Sequence, residues 1–405
     1  MINTTHDNPW ISAGIDLLPE MIALRRAIHA EPEMGLHTPK TTAKIKQALA
    51  GLPLEYFQGP STSGFIALLR GPTEGKTVLL RGDMDALPLT EETGLSFKSS
   101  EEGVMHACGH DAHVAMLVGA AKALCAKREL IHGSVMFMFQ PGEEGDYGAR
   151  LMLEDGLLNP LPDSALALHI FTNLPSGIFS SRAGAIMAAA DIMEITITGK
   201  GGHASMPHLA IDPIPIACEI VTNLQMMVTR CIPALDPVVI TIGSIHSGTT
   251  FNIIPEVATL SGTIRSLSEK SRTLAFEGIQ RVATHIANAH NAVAIVQFES
   301  GYPVTYCDEN AVNLVKTTAQ NLFGESGWLT APYPAMTAED FSYILQKIPG
   351  AMVFLGAAPE GSDFQTCAGI HSNHMILDES AMARGLAMHC AYAQAYLNDT
   401  KKEPL

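Results

Sequence analysis

The sequence predicts an α/β protein with a mixed, largely parallel sheet, helices on both faces of that sheet and a smaller α+β domain inserted into the chain. Short apolar runs typical of buried strands alternate with helical periodicity up to about residue 186. Between residues 187 and 300 the strands become amphipathic, and from residue 301 to 405 the first pattern returns. We therefore expect residues 1–186 and 301–405 to form one domain and residues 187–300 to form the insertion.

Apolar periodicity and punctuating residues predict the elements of the first domain. A helix from about Leu17 to His29 is followed by Pro32, which marks its end. The runs Gly133–Gln140 and Ser164–His169 are almost continuously apolar, as strands buried on both faces are. The other expected elements are strands at Gly64–Leu69 and Thr77–Leu80, a helix from Asp111 to about Lys127, and a last helix from Glu379 to about Leu397.

The inserted region has the order strand, helix, strand, strand, helix, strand. Alternation at Ile192–Ile197 is typical of a strand with one buried face. Ser266 and Glu269 have the spacing of a capping box, so we expect a long helix to begin there and to run to about Ala289. The other expected elements are a helix over about Ile214–Thr229 and strands at Val238–Ile242 and Ala258–Arg265.

Composition excludes several classes of partner. A formal charge of −16 with only 25 Lys and Arg repels phosphate backbones, so nucleic acid is not an expected partner. No apolar stretch approaches the roughly 20 residues that span a bilayer, and the first residues lack the features of a signal peptide. Seven scattered cysteines without CxxC spacing do not indicate a disulfide framework. We expect a cytoplasmic protein that acts on a small molecule.

The segment His106-Ala107-Cys108-Gly109-His110-Asp111 lies between a polar loop and a predicted helix start. A thiol and an imidazole two residues apart suit zinc or a similar divalent ion. A reduced core cysteine beside surface histidines explains an isolated Cys-Gly-His equally well. This segment is therefore a candidate metal site, and whether it binds metal depends on further ligands elsewhere in the chain.

The segment Gln140-Pro141-Gly142-Glu143-Glu144-Gly145 follows a predicted buried strand. Adjacent carboxylates on an irregular turn can face different directions, so that one binds metal while the other handles a proton. The flanking glycines let the backbone approach a pair of metals closely. Taken alone, a Glu-Glu pair in a Gly-rich turn is more often only solvated.

Two histidines follow further core segments. His169 ends a predicted strand, and His371 follows a short apolar stretch. A single histidine in such a place is more often structural than ligating. Together with Cys108, His110 and one glutamate, however, these histidines provide a number of ligands that suits two metals sharing one water.

Five polar side chains outside this set are candidates for supporting roles. Asp83 and Asp85 follow a predicted strand and can orient a ligating histidine, although a turn or capping role fits their spacing equally well. His203 follows a Gly-Gly turn and can donate to an oxyanion, or it is a loop histidine without a role. Asn252 and Arg265 flank a predicted strand, where an arginine suits a substrate carboxylate or a surface ion pair.

With these motifs assembled, the sequence resembles the metallopeptidase-like amidohydrolases that include hippurate hydrolase, bacterial N-acyl-amino-acid amidohydrolases and plant auxin-conjugate hydrolases. The resemblance covers almost the whole chain. It is carried, in order, by RRAIH from Arg25, Pro32-Glu33, RGDMDALP from Arg81, HACGHD from His106, FQPGEEG from Phe139, GGHASMPH from Gly201, FNIIPE from Phe251, GTIR from Gly262, AEDF from Ala338, and His371.

The resemblance implies a metal-binding α/β domain of the zinc-peptidase type, interrupted by a lid domain that also forms a homodimer contact. It places two divalent ions, of Zn, Mn, Co or Ni, at five residues: Cys108 in the bridging position, His110, Glu144, His169 and His371. Glu143 falls at the general base of the family. His203 falls at the lid histidine that reaches the active site of the partner.

Three segments depart from the usual family pattern. No acidic residue is present in Thr38-Pro39-Lys40-Thr41, HSNHMILDE replaces HNPxFDF-like text at His371, and Met336-Thr337-Ala338 replaces Met-Gly-Ser. The candidate metal ligands are unaffected. Because the family lines its substrate pocket near these segments, the preferred acyl group does not follow from the resemblance.

The predicted function is metal-dependent hydrolysis of the amide bond of N-acyl amino acids, such as N-acetyl or N-benzoyl amino acids. In this mechanism Glu143 removes a proton from a metal-activated water, and His203 together with a metal stabilises the oxyanion. A dipeptidase or carboxypeptidase with the same metals is the first alternative. A catalytically inactive binding protein is the second, and the presence of Glu143 with a full ligand set argues against it.

Overall fold

The computed structural model of the protein describes residues 8–399. The described chain divides into two compact units. The first comprises residues 8–184, 306–332 and 340–399, and the second comprises residues 185–305 and 333–339. No helix within residues 8–399 is both long enough and apolar enough to cross a membrane.

The strands are β1 (Glu55–Gln58), β2 (Phe65–Arg70), β3 (Thr77–Asp83), β4 (Ser134–Gln140), β5 (Ser164–Phe171), β6 (Phe179–Ser181), β7 (Gly184–Met187), β8 (Ala189–Thr198), β9 (Gly202–His203), β10 (Val238–Ser247), β11 (Ile253–Ile254), β12 (Val257–Ser266), β13 (Val293–Ser300), β14 (Thr305–Cys307), β15 (Trp328–Thr330) and β16 (Gly350–Gly356). The α-helices are α1 (Pro9–His29), α2 (Pro39–Ala48), α3 (His110–Ala126), α4 (Gly148–Glu154), α5 (Pro213–Cys231), α6 (Glu269–Ala289), α7 (Glu309–Phe323), α8 (Ser342–Leu345) and α9 (Ala381–Leu397).

An eight-stranded sheet forms the centre of the first unit, with the strand order β1-β2-β4-β3-β5-β16-β6-β15. Strand β3 pairs in parallel with β4 and with β5, and β5 pairs in parallel with β16. Antiparallel pairing is found between β1 and β2, between β2 and β4, and between β16 and β6. The predicted class, an α/β fold with a mixed and largely parallel sheet, is confirmed.

Helices α1, α3 and α9 pack against one another in this unit, and α3 also contacts β3 and β5. Almost every residue of α3 is buried, as expected for a helix that is apolar on all sides.

The expectation that the first helix begins near Leu17 is wrong, because α1 begins at Pro9. Asn8 caps it by accepting from the backbone N–H of Trp10 at 2.9 Å, and Pro19 lies inside the helix.

The second unit contains a four-stranded antiparallel sheet of order β10-β12-β8-β13. Burial alternates along β8, and the buried side chains form one apolar cluster with those of α5 and α6. The order β8-α5-β10-β12-α6-β13 is the predicted one. A short antiparallel pair, β9 with β11, places His203 opposite Ile253.

The capping box predicted at Ser266 is wrong. Ser266 is buried at the end of β12, where it pairs with Val238 and Ala189. The N-cap of α6 is Ser268, whose hydroxyl accepts from the backbone N–H of Ser271 at 3.0 Å. Two serines lie within reach of the helix start, and the strand pairing of the first decides which one caps.

Buried ion pairs connect α1 with the start of α3 in the first unit. The ring of His29 in α1 contacts Asp111 through Nδ1 at 2.8 Å and Glu91 through Nε2 at 3.2 Å. Arg25, one turn earlier, lies 3.0 Å from the same Asp111 carboxylate and 2.7 Å from Glu379. Because both ring nitrogens of His29 face carboxylates, the doubly protonated ring is favoured.

The Ser268→Ala substitution should lower the opening free energy of α6 by about 1 kcal/mol, because the helix loses its N-cap hydrogen bond. Ser266→Ala should change it by only a few tenths of a kcal/mol, since the buried Ser266 hydroxyl has no hydrogen-bond partner among residues 8–399. Amide hydrogen exchange over residues 269–289 measures both. Equal effects of the two substitutions would contradict this assignment of the cap.

The stability of the first unit should depend on pH through His29. Burial lowers the pKa of His29, but Asp111 and Glu91 outweigh it and raise the pKa from 6.5 to about 9. Since the folded pKa is the higher one, the stabilisation is complete below pH 6.5 and disappears as pH rises through 9, by about 3 kcal/mol. His29→Gln should therefore destabilise strongly at pH 6 and much less at pH 10.

Urea unfolding followed by tryptophan fluorescence measures this pH effect, because both tryptophans, Trp10 and Trp328, belong to the first unit. The informative quantity is the difference in unfolding free energy between wild type and His29→Gln at each pH. A difference that does not change between pH 6 and pH 10 would show that His29 is not charged in the folded protein.

Candidate metal centre

The candidate site lies where β3, β4 and β5 end and where α3 begins, all within the first unit. Asp83 is the last residue of β3, and the Glu143-Glu144 turn follows the end of β4. His169 is near the end of β5, and His110 is the first residue of α3. Because β4, β3 and β5 are adjacent and parallel, their carboxyl ends lie side by side.

His371 reaches this site from the loop before α9. Its backbone N–H donates to Ala107 O at 2.7 Å, which attaches the His371 loop to the segment that carries Cys108. His371 has a left-handed φ of 64°, a conformation that few non-glycine residues adopt. Its side chain is half exposed, so this part of the site is open to solvent within the first unit.

All five predicted metal ligands come together. Cys108 Sγ lies 3.4 Å from His169 Nε2, and Glu144 Oε1 lies 3.3 Å from His371 Nε2 and 4.0 Å from His110 Nε2. The donor atoms form two sets of three, each with its atoms within 4.8 Å of one another: Cys108, His110 and His169 in one, and Cys108, Glu144 and His371 in the other. Cys108 belongs to both sets.

Hydrogen bonds fix which nitrogen of two imidazoles is available. His110 Nδ1 donates to the backbone oxygen of Asp85 at 2.9 Å, and His169 Nδ1 donates to the backbone oxygen of Ile170 at 2.7 Å. A carbonyl oxygen only accepts, so in each ring Nδ1 carries a proton and Nε2 is the nitrogen that can bind a metal. The Nε2 atoms also lie near other candidate ligands: His169 Nε2 is 3.4 Å from Cys108 Sγ, and His110 Nε2 is 4.0 Å from Glu144 Oε1.

The site fits a pair of divalent cations by the chemistry of its donors. Among the described residues, the buried atoms His110 Nε2 and Glu144 Oε1 make no hydrogen bond, which is costly unless a ligand takes them. Burial raises the pKa of the Cys108 thiol, so a thiolate there needs a neighbouring cation. A thiol, imidazoles and a carboxylate together suit zinc and its neighbours in the transition series.

Glu143 lies beside these donors and is almost completely buried. Its Oε2 is 3.9 Å from His110 Nε2. The backbone N–H groups of Glu143 and Glu144 each donate to the Asp85 carboxylate at 3.0 Å. Asp85 therefore holds the backbone of both glutamates and, through its own carbonyl, orients His110.

Asp83 supports the site through a histidine that the sequence analysis missed. His113, one turn after His110 in α3, donates from Nδ1 to Asp83 at 2.5 Å and accepts the backbone N–H of Ile170 at Nε2 at 2.8 Å. Because both nitrogens are occupied, His113 braces the strand that carries His169 and has no lone pair left for a metal. The helical i, i+3 spacing of the two histidines was the signal that could have found it.

Burial raises the pKa of Asp83, but the Arg81 guanidinium outweighs that effect and holds the pKa well below its usual range. Arg81 Nη1 donates to Asp83 at 2.6 Å, and both side chains are fully buried. Asp83 is therefore ionised and accepts hydrogen bonds from Arg81 and His113, while His110 Nε2 lies 3.3 Å from it without a hydrogen bond. Because its oxygens already accept from Arg81 and His113, Asp83 orients His113 and is not itself assigned as a metal ligand.

The remaining predicted residues, His203, Asn252 and Arg265, belong to the second unit. His203 Nδ1 accepts from the backbone N–H and the hydroxyl of Ser205 at 3.1 and 2.8 Å, which leaves Nε2–H as a donor. Asn252 accepts the N–H of Ala204 at its backbone oxygen. Both residues are exposed and lie in one shallow cleft with Gly202 and Ile254, whereas Arg265 is half-buried in β12.

Comparison with known proteins gives consistent matches over nearly the whole chain. The pattern of peptidase family M20/M25/M40 matches residues 79–395. Thermostable carboxypeptidase 1 of Saccharolobus solfataricus is 39% identical over 384 residues, which cover 93% of this chain and 95% of that protein. N-acetyldiaminopimelate deacetylase of Streptococcus uberis is 36% identical over 94% of this chain and 100% of that protein.

One solved structure is similar in both sequence and fold. It is a Bacillus subtilis protein described as a dinuclear metal-binding peptidase of the M20 family. The two chains are 32% identical, and the TM-score is 0.83 over 95% of this chain and 99% of that one.

Proposed function

The chain belongs to peptidase family M20/M25/M40, and from that membership we propose that it hydrolyses the amide bond of N-acyl amino acids to a carboxylic acid and a free amino acid. The membership confirms the predicted family and the predicted enzyme class, a hydrolase. The observation that carries the proposed hydrolysis is the geometry around Cys108, where two donor sets share one thiol beside the buried Glu143. The deacetylase relative acts, by its name, on an N-acetyl amino acid.

Two divalent cations are the proposed cofactors, held by Cys108, His110, Glu144, His169 and His371. The shared position of Cys108 suits a bridging ligand, and a solved relative is described as dinuclear. When bound, the cations would polarise the scissile carbonyl and acidify the attacking water. Zinc, manganese, cobalt and nickel all accept this mixture of donors.

Glu143 is the proposed general base. Its carboxylate is nearly buried, and the hydrogen bond from its own backbone N–H to Asp85 fixes the residue that carries it. Glu143 accepts a proton from the attacking water and delivers it to the leaving amine nitrogen, so one carboxylate serves both halves of the reaction. Glu144, the next residue, is left to bind metal.

His203, Asn252 and Arg265 are the proposed contacts of the second unit with the substrate. The free Nε2–H of His203 is a suitable donor to an oxyanion. Burial lowers the pKa of Arg265, but a guanidinium remains charged, and it suits the carboxylate of an amino acid. In a homodimer formed through the second unit, His203 would donate into the active site of the partner.

A carboxypeptidase or dipeptidase is the second candidate function. A relative named thermostable carboxypeptidase, 39% identical over 384 residues, favours it. Such an enzyme would use the same metals, Glu143 and a carboxylate contact, and would differ in accepting an amino acid in place of the acyl group.

We also propose a cytoplasmic location, in keeping with seven free cysteines and no disulfide among the described residues.

Metal-stripped protein should hydrolyse N-acyl amino acids only after Zn, Mn, Co or Ni is restored. Glu143→Gln should lower kcat by about 10²–10⁴-fold with its metal content unchanged, because it removes only the general base. Release of free amino acid from matched N-acetyl, N-benzoyl and dipeptide substrates measures both effects and separates the two candidate functions. Metal-loaded wild type that releases no amino acid from any of them would refute both.

His203→Ala and Arg265→Ala should affect different kinetic constants. Loss of an oxyanion donor should lower kcat by about 10²-fold with little change in KM. Loss of a charged contact with the substrate carboxylate should raise KM by roughly tenfold or more. Steady-state kinetics on one N-acyl amino acid checks both, and an unchanged KM in Arg265→Ala would remove that residue from substrate binding.

A further inference from the structure

The glutamate loop, defined here as residues 141–148, runs from the end of β4 to the first residue of α4 and carries Glu143 and Glu144 on a backbone that needs external support. Gly145 and Tyr147 have φ values of 100° and 61°, and at Tyr147 this left-handed conformation brings a steric penalty that glycine avoids. A Cβ on Gly148 would lie 1.7 Å from the oxygen of Pro141, so the two ends of the loop touch through their backbones. Strained backbone conformations of this kind are kept only where contacts with the surrounding structure hold them in place.

One buried carboxylate, that of Asp340, binds both ends of this loop. At the end of β4, Gln140 Nε2 lies 2.8 Å from each oxygen of Asp340. In the first turn of α4, the backbone N–H of Ala149 donates to Asp340 Oδ2 at 2.9 Å. Asp340 therefore joins the residue before the loop to the residue after it, and it belongs to the same unit as both.

Arg81 connects the Asp340 contacts with Asp83 and, through Asp83, with His113 beside the metal centre. Its Nε donates to Gln140 Oε1 at 2.9 Å, and its Nη2 donates to Asp340 at 3.0 Å. Its Nη1 donates to Asp83, which holds His113. The buried Arg81 guanidinium therefore links Gln140 and Asp340, which hold the ends of the glutamate loop, to Asp83 at the end of β3.

We propose that Asp340 is a positioning residue for Glu143 and Glu144. Asp85 holds the backbone of the two glutamates at the middle of the loop, and Asp340 holds the loop at its ends. With both contacts in place, the glutamate carboxylates keep a fixed distance to the thiol and the imidazoles. The inference rests on the proposed function, since it matters for catalysis only if Glu143 is the base.

The test is Asp340→Asn, which keeps the size of the side chain but removes its charge and one acceptor. In metal-free protein, hydrogen exchange of the Glu143, Glu144 and Gly148 amides should accelerate by about tenfold, because these amides bond to Asp85 and Gly142 and report the loop as a whole. In metal-loaded protein, kcat should fall by roughly 10–100-fold with KM nearly unchanged.

Asp155→Asn is the matched control. At the other end of α4, the Asp155 carboxylate accepts the backbone N–H and the hydroxyl of Ser61 at 3.1 and 2.6 Å. The same chemical change there should leave the exchange of the glutamate loop and kcat unaltered. If Asp340→Asn does not fold, Gln140→Met is the second variant: it removes the contacts of Gln140 with Asp340 and with Arg81 but leaves the Ala149–Asp340 hydrogen bond, and it should give the same changes at smaller size.

Unchanged loop exchange and kcat in Asp340→Asn, or in Gln140→Met when it replaces the first variant, would overturn the proposal. Equal changes in Asp155→Asn, or a higher KM with normal kcat, would also overturn it. Failure of the proposed function looks different. In that case wild type hydrolyses no substrate of the panel, and the exchange measurement on metal-free protein still decides whether Asp340 clamps the loop.

Discussion

The parallel pairing of β4 with β3 and of β3 with β5 is the constraint on which the site depends. In parallel neighbours the carboxyl ends coincide, so whatever follows those strands is brought to one edge of the sheet. Here the residues that follow are the Asp83–Asp85 segment, the glutamate loop and the end of the strand with His169. Helix α3 begins at the same edge and adds His110 and His113.

Charge balance in the buried layer beneath this edge explains why so many acids fit there. Asp83 and Asp340 share Arg81, and Asp111 is neutralised by Arg25 and by a charged His29. Paired in this way, buried carboxylates keep their charge at tolerable cost and order the backbone around them. Among the five candidate metal ligands, two buried donor atoms, His110 Nε2 and Glu144 Oε1, make no hydrogen bond to the described residues. Metal cations bound at these two atoms would supply the positive charge that the site otherwise lacks.

Sequence reasoning succeeded where one physical signal dominates. Strands buried on both faces are continuously apolar, and both β4 and β5 were found within two residues of their bounds. It failed where two local signals compete. Ser266 and Ser268 are equally good caps by residue type, and only the pairing of β12 excludes the first. The prediction also missed the first eight residues of α1, which begins at Pro9 instead of near Leu17.

The sequence by itself determined the family, the fold class and the residues that carry the candidate metal centre, because dense motifs and apolar periodicity are local and survive without coordinates. Only the tertiary structure decided what holds those residues in place. Arg81, Gln140 and Asp340 contact one another across 59 to 259 positions of the chain. Such contacts leave no local pattern, since their geometry exists only after the sheet has paired and α3 has packed against it.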